Sequence, residues 1–389
     1  MKKLLWLSYT ITAVILTAIL AFGIITGGGL AFRLISFYTI IPGTAGIIGM
    51  VFGYKNAPWK WLYPILTGFL ARMISVIVSN QPILAPPTVG LRHFLAPLLA
   101  GMAGIVLGII IRETYNKKAL KRAANILVII GGIILTIHVI HALTLDRIIE
   151  YREVPFHSPR LPAELEGYTI AFIADTHTLS VDRLRGIVRE LNSRQIDMLI
   201  LGGDHSKDHA HLLISMEILA QTATSDGIFG VEGNHDAYWQ LFAAMEANGI
   251  VPLSNSGVHV RENFFLAGVE DLWNRRPNIA MATRDAGADD FVLLVSHNPD
   301  VAMRQDTTGV DLILSGHTHG GQITFFGLWA PYLIRGSITD YNQRFRGGWA
   351  RSRDGTPVYV TNGTAINYYF VPRVFARPQV ILISLHREE

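Results

Sequence analysis

"YTIAFIADTH", residues 168–177, decides how the second part of this chain is read. The run Tyr168–Ala174 is almost wholly apolar, has no helical period, and stops at two metal-ligand-type side chains, Asp175 and His177. A short continuous apolar run of this kind suits a strand buried on both faces. The same unit then repeats. "VDRLRGIVRELNSR" (181–194) spaces its apolar residues as a helix does, "DMLILGGD" (197–204) is a second strand ending in Asp204, and "HAHLLISMEILAQTA" (209–223) is a second helix. "GIFGVEGNHD" (227–236) ends in Asn234, His235 and Asp236. Later runs, "FVLLVSHNPD", "VDLILSGHTHGG", "VYVTNG" and "QVILISL", also have the composition of buried strands. Strands alternating with helices give an α/β fold, and their number points to two packed β-sheets flanked by helices.

The strand ends carry the chemistry. Asp175 and His177 follow the first strand, Asp204 the second, Asn234, His235 and Asp236 the third, His297 the fourth, and His317 with His319 the fifth. Loops at one edge of an α/β sheet build binding sites. A lone His after a strand is usually an ordinary surface or core residue. Several at successive strand ends, with carboxylates among them, form a donor set for Zn, Mn or Fe that exceeds the need of one tetrahedral ion. Two divalent metal ions are expected, with Asp204 as the bridging carboxylate that holds like charges about 3.5–4 Å apart. Such pairs activate water for in-line attack on phosphorus, so the expected chemistry is phosphoester hydrolysis.

The ordered segments Asp175-Thr176-His177, Gly203-Asp204, Gly233-Asn234-His235-Asp236, His297 and Gly316-His317-Thr318-His319 resemble the motifs of calcineurin-like metallophosphoesterases, over about 160–385. The extended "GHTHGGQ" is similar to the bacterial, membrane-associated phosphodiesterases of the YaeI and YkuE type, and the whole layout to transmembrane proteins with a metallophosphoesterase domain. The resemblance implies one metal held by Asp175, His177, Asp204 and His319, and a second by Asp204, Asn234, His297 and His317. It implies that His235 orients the phosphate and protonates the leaving group, with Asp236 holding the His235 imidazole in the useful tautomer. Adjacent side chains of an extended "GHTHGG" alternate direction, which would send His317 and His319 the same way, each to a different ion. Two departures from the family pattern bear on the cleft: Thr178-Leu179 follow His177, and His205-Ser206-Lys207-Asp208 follow Asp204. His205 and Lys207 are expected to touch a phosphate or to face solvent.

The first third reads differently. Half of the whole chain is hydrophobic and only 16% is charged, and most charges fall after residue 145. Apolar stretches at about 4–26, 34–54, 59–79, 93–111 and 125–144 each approach the ~20 residues that cross a hydrocarbon core, so residues 1–145 are expected to form a multi-span α-helical membrane domain of about five helices. A linker (146–164) containing Pro155, Pro159 and Pro162 follows, then a metallophosphoesterase domain over 165–389. With the N-terminus inside, one side collects Lys2, Lys3, Lys55, Lys60, Arg112, Lys117, Lys118, Lys121 and Arg122, and the other only Arg33 and Arg92, which places the catalytic domain of a multi-pass cell-membrane protein outside the cytoplasm. Arg72 is read as snorkelling or pairing with a backbone carbonyl, His138 and His141 as interfacial, and the spacing Gly101, Gly104, Gly108 as close helix packing.

With no cysteine in the chain, disulfides, thiolate metal sites and cysteine nucleophiles are excluded. A net charge of +3 gives no case for nucleic acid. "ITFFGLWAPYLIRG" (323–336) is either ordinary core or an apolar surface that dips into the lipid bilayer or forms a hydrophobic wall for a lipid substrate, and Arg344, Arg346, Arg351 and Arg353 suit anionic headgroups or a solvated loop. Asn362-Gly363-Thr364, formally a glycosylation acceptor, is read as a tight turn. The expectation is a membrane-anchored phosphodiesterase or pyrophosphatase acting on a phosphorylated small molecule or lipid, such as a phospholipid or envelope glycolipid. The alternatives are a phosphomonoesterase and a non-catalytic metal- or phosphate-binding module.

Overall fold

The computed structural model describes residues 41–55, 61–66, 68, 87–114, 118–177, 179–205, 209–333, 338–368 and 371–388. Contacts divide the chain into two units, Met1–Leu135 and Thr136–Glu389.

In the first unit, helices α1 (Ile41–Lys55) and α2 (Pro87–Thr114) pack through glycine. A Cβ on Gly104 would lie 2.0 Å from the Gly46 carbonyl oxygen, and one on Gly108 2.0 Å from that of Met50. Only residues without a side chain allow backbones to approach so closely, as the spacing of Gly101, Gly104 and Gly108 led one to expect. Helix α3 (Lys118–Leu143) follows and crosses the boundary between the units. Among the described residues one stretch, Ile129–Arg147, is long and apolar enough to cross a membrane. The expected span at 4–26, most of that at 59–79, and Arg72 lie outside the described residues.

The second unit is a sandwich of two mixed sheets. One has the order β1 (Glu150–Ser158), β14 (Gln379–Arg387), β2 (Thr169–Ile173), β3 (Met198–Gly202), β4 (Ile228–Val231), β5 (Val251–Pro252). The other runs β10 (Gly348–Arg351), β11 (Pro357–Val360), β9 (Leu312–Ser315), β8 (Phe291–Val295), β7 (Phe264–Gly268), β6 (Ser256–Arg261). The strands that carry the candidate site, β2, β3 and β4 in one sheet and β8 and β9 in the other, are parallel within their sheets. A two-stranded ribbon, β12 (Asn367–Tyr368) with β13 (Val371–Pro372), stands apart.

The period of two along each strand builds three apolar layers. Ile170 and Phe172 of β2 face Phe264, Leu266, Leu293 and Leu314 between the sheets. Ala171 and Ile173 face outward onto α4 (Val181–Asn192), whose Leu184, Ile187, Val188 and Leu191 follow the helical i, i+3, i+4, i+7 spacing. Each such side chain removed from water contributes roughly 1.5–3 kcal/mol. Helices α5 (His209–Leu219) and α6 (Tyr238–Ala247) complete that layer, and α7 (Ile279–Ala282) and α8 (Val301–Arg304) cover the second sheet. Every strand expected from the apolar runs is present.

The stretch expected as a linker holds a strand. Residues 150–158 form β1, which pairs in parallel with β14 from Glu150–Gln379 to Ser158–Arg387. Its far half alternates, with Val154, Phe156 and Ser158 buried and Pro155 and His157 exposed. Pro155 is compatible because β1 is an edge strand, where one missing N–H need not break the ladder.

Candidate metal centre

Parallel strands deliver the candidate donors to one edge of the sandwich, and the side chains from both sheets meet there. Asp204, after β3, lies between two imidazoles: its Oδ2 is 3.6 Å from His177 Nε2 and 3.3 Å from His297 Nε2. Asp175 Oδ1 is 3.5 Å from His319 Nε2 and 4.0 Å from His297 Nε2. His177 and His319 stack, their Nε2 atoms 3.2 Å apart. His317 packs edge-on against His297, with ring centroids 5.2 Å apart. The imidazoles thus fall into two pairs, one on each side of Asp204. All six side chains are buried.

The backbone is bent to achieve this. Asp175 (φ 54°), His177 (42°), Asp204 (56°), His317 (70°) and His319 (53°) all occupy the left-handed region, which costs a non-glycine residue of order 1–3 kcal/mol. The expected extended alternation through "GHTHGG" is therefore replaced: β9 ends at Ser315, and His319 begins a 3-10 turn. His317 and His319 reach different sides because each is turned by its own left-handed φ. Hydrogen bonds hold the bends, from Asp175 N to Gly203 O (2.9 Å), from His177 N to Asp204 O (3.0 Å), and from His317 N to Asp175 Oδ2 (3.1 Å).

Protonation is divided within the cluster. Burial holds His177 down to about 4 and His317 to about 3, and it holds His319 well below the usual imidazole range, so these rings keep lone pairs to donate. Burial also opposes a charge on His297, but Asp204, Asp175 and Asp271 outweigh it and raise this imidazole to about 10. Burial pushes Asp175 up to about 7. Burial works against the Asp204 charge too, yet His297 and His177 hold that carboxyl well below the usual range. His297 Nδ1 donates to Gly202 O at 2.7 Å, which aims Nε2 at the carboxylates, 3.3 Å from Asp204 Oδ2; Asn234 Oδ1 is buried without a hydrogen-bond partner. Buried imidazoles and carboxylates gathered in this way fit divalent cations, and two groups, Asp175–His177–His319 and Asp175–Asp204–His297, are each compact enough to hold an ion.

Asp236 is held by three backbone amides: its Oδ2 accepts from those of Asp204 (2.7 Å) and Gly233 (2.8 Å), and its Oδ1 from that of His205 (2.8 Å). Asp236 thus clamps the β3 and β4 loops together. His205 neither meets solvent nor reaches a phosphate: it is fully buried, its Nε2 accepting from Gly203 N at 3.1 Å. Lys207 lies outside the described residues. His235 stands exposed above the cluster, its ring 5.4 Å from that of His177, and its amide donates to Asp204 Oδ1 at 2.8 Å.

Three features escaped the sequence. Arg373 is fully buried and donates to the carbonyls of His319 (3.0 Å), Ala376 (2.9 Å), Gly363 (3.4 Å) and Ala365, tying the histidine turn to the following segments. Gly363 (φ 72°), in a stretch read from the sequence only as a tight turn, lies so close to Asp175 that a Cβ there would fall 2.6 Å from the Asp175 Cβ. Trp273, half exposed, packs edge-on against His317 at 4.6 Å. "VPRVFARP" and "DLWN" contain no spacing that would have singled out Arg373 or Trp273.

Residues 168–321 match the calcineurin-like phosphoesterase family. The second unit carries a calcineurin-like metallophosphoesterase domain. An uncharacterized metallophosphoesterase of Helicobacter pylori is 28% identical over 243 residues, 59% of this chain and 62% of that one. A transmembrane protein with metallophosphoesterase domain from Bos taurus is 30% identical over 260 residues, 60% of this chain and 56% of its own. The uncharacterized metallophosphoesterase YkuE of Bacillus subtilis is 25% identical over 256 residues, 61% of this chain and 85% of its own. The chain thus spans less than two thirds of the Helicobacter pylori and Bos taurus relatives. The metallophosphoesterase match takes in Asp175, His177, Asp204, Asn234, His235, Asp236, His297, His317 and His319, but not Gly363 or Arg373, which brace the cluster from outside it.

Proposed function

We propose that this protein is a membrane-anchored, dinuclear metal-dependent phosphohydrolase that cleaves a phosphodiester or pyrophosphate in a substrate held near the bilayer. The observation that carries the reading is Asp204, buried between His177 at 3.6 Å and His297 at 3.3 Å, where a carboxylate can serve two ions at once. Asp175, His177, Asp204 and His319 would hold one ion, and Asp204, Asn234, His297 and His317 the other. When bound, the ions supply Lewis acidity to a phosphoryl oxygen and activate water. His235, exposed at the mouth, orients the phosphate and gives a proton to the leaving oxygen. Trp273 packs against the His317 ring, and Asn274, whose Nδ2 donates to Asn234 O at 2.7 Å, fixes the Asn234 backbone.

Anchoring rests on Ile129–Arg147, and we extend it to a multi-pass domain of about five helices with the catalytic unit outside the cytoplasm, from the apolar stretches and the distribution of Lys and Arg. The test is hydrolysis of bis(p-nitrophenyl) phosphate by detergent-purified protein, stripped and refilled with Mn, Zn or Fe, beside Asp204→Asn. Metal-dependent turnover that the variant lacks supports a diesterase. Turnover confined to p-nitrophenyl phosphate would make it a monoesterase, and refilled protein inert on diesters, monoesters and pyrophosphate would leave a binding module.

A further inference from the structure

The stretch that follows the histidine turn is neither core nor an ordinary loop. Phe325 N donates to Trp329 O (2.8 Å), Leu328 N to Phe325 O (3.0 Å) and Gly327 N to Thr324 Oγ1 (2.8 Å), closing residues 324–329 into a small hairpin. Its apolar side chains point out: Leu328 is 76% exposed, Trp329 53% and Phe325 50%. A surface hairpin that turns back on its own hydrogen bonds and exposes large apolar groups suits the interface of an apolar medium.

Its neighbour indicates which medium. His138, on the helix that includes the candidate span, packs against Phe325 (5.6 Å between ring centroids), Phe326 (4.5 Å) and Phe375 (4.9 Å), and His141, one turn on, stacks on Phe375 at 3.8 Å. Asp146 at the end of that stretch pairs with His141 at 2.6 Å and accepts from Phe375 N (2.8 Å) and Ala376 N (3.2 Å), so the hairpin is fixed at the level of the helix's last turns. The helix itself keeps Val139, Ile140 and Leu143 exposed, and the apolar surface runs on to Leu145 and Ile148. Around this end sit three guanidiniums: Arg147 itself, Arg183 donating to the Arg147 carbonyl (3.0 Å), and Arg377 donating to that of Ile148 (3.0 Å). An apolar tip, an apolar helix face and a cationic collar at one level match the acyl boundary and anionic headgroups of a lipid bilayer rather than the flat, mixed surface of a protein partner.

We infer that the hairpin Thr324–Trp329 is a second membrane contact, dipping into the bilayer interface beside the span and holding the metallophosphoesterase site against the lipid surface. This rests on the anchoring part of the proposed function and deepens it. His319 and Phe325 are six residues apart, a reach of at most about 20 Å, and Val374 N donates to Gln322 O (2.9 Å) while Thr324 N donates to Val374 O (2.9 Å), so the histidine turn and the hairpin are one braced piece. A phosphate attached to a lipid would then meet the site without leaving the membrane.

The absence of cysteine allows a direct test. Single variants Leu328→Cys, Ile133→Cys and Glu262→Cys of the full chain are labelled with an environment-sensitive fluorophore, reconstituted in phosphatidylcholine–phosphatidylglycerol vesicles, and challenged with nitroxide-bearing lipids or aqueous iodide. Lipid quenching at Leu328 and Ile133, with Glu262 quenched only by iodide, is the expected result. Ile133 quenched by lipid while Leu328 behaves like Glu262 overturns the inference and leaves the anchor standing. If Ile133 too is quenched only by iodide, the anchor and the inference fail together. Neither readout depends on metal or turnover. A second arm, Leu328→Glu with Trp329→Glu, is expected to abolish lipid quenching of a label at Phe325→Cys.

Discussion

At the scale of single residues, the candidate site is a place where local preference is overruled. Five non-glycine residues, Asp175, His177, Asp204, His317 and His319, sit at positive φ, and all are candidate donors. Strain at that density is held only if the surroundings over-determine it. Arg373 is one such support, and replacing it with Met would take the donor from the Ala365 and Ala376 carbonyls, while His319 O keeps Gln322 N and Gly363 O keeps Gln379 N. At about 1–3 kcal/mol for each group left unsatisfied, Arg373→Met is expected to cost at least about 2 kcal/mol in denaturant unfolding. Asp236 is another support. If it clamps the β3 and β4 loops, Asp236→Ala weakens Mn or Zn binding at least about tenfold, at ~1.4 kcal/mol per decade; calorimetric affinity equal to the wild type would instead return Asp236 to the role of orienting His235. Asp175→Asn tests the opposite trade. Asn tolerates a φ of 54° and removes a buried charge already pushed up to about 7, so the metal-free variant is expected to unfold within about 1 kcal/mol of the wild type while losing metal affinity.

At the scale of elements, the apolar runs were legible because strands buried on both faces have an unmixed composition: "TIAFI", "MLILG", "FVLLV" and "LILS" are β2, β3, β8 and β9. Edge strands were not legible. In β1 the residues Arg152 and Glu153 face water and Pro155 interrupts, so the composition is that of a connection, and only pairing with β14 makes it a strand. The donors were legible as strand-end His, Asp and Asn, whereas the turn at Gly363 and the anchor Arg373 come from segments that reach the site only through the fold. For the helices, a glycine spacing was enough to anticipate the α1–α2 contact. Gly104→Leu would drive its Cβ to 2.0 Å from the Gly46 carbonyl oxygen, whereas Gly131 has nothing within 4 Å of its Cβ position. Overpacking costs about 1–3 kcal/mol even where side chains can adjust. Gly104→Leu is therefore expected to lower the melting temperature in detergent clearly more than Gly131→Leu, and equal losses would mean that α1 and α2 do not make this contact in solution.

At the scale of the whole molecule, metal and fold should be linked. The second unit buries two carboxylates among imidazoles of which three are held neutral, and without ions their charge is balanced chiefly by His297, with the buried Arg373 guanidinium acting on Asp175. Cations that bind the folded site and not the unfolded chain stabilise by RT ln(1 + [L]/Kd), about 2.7 kcal/mol at a hundredfold excess over Kd. Adding Mn or Zn to stripped full-length protein is therefore expected to raise the unfolding transition of residues 136–389, and Asp175→Asn to abolish the rise. The readout separates the two possible meanings of the cluster. A metal-dependent rise without turnover would leave a calcineurin-like domain that binds but does not hydrolyse the substrates offered. No rise with any ion would mean that His297 and the carboxylates already satisfy one another, and the five strained residues would then need a reason other than metal.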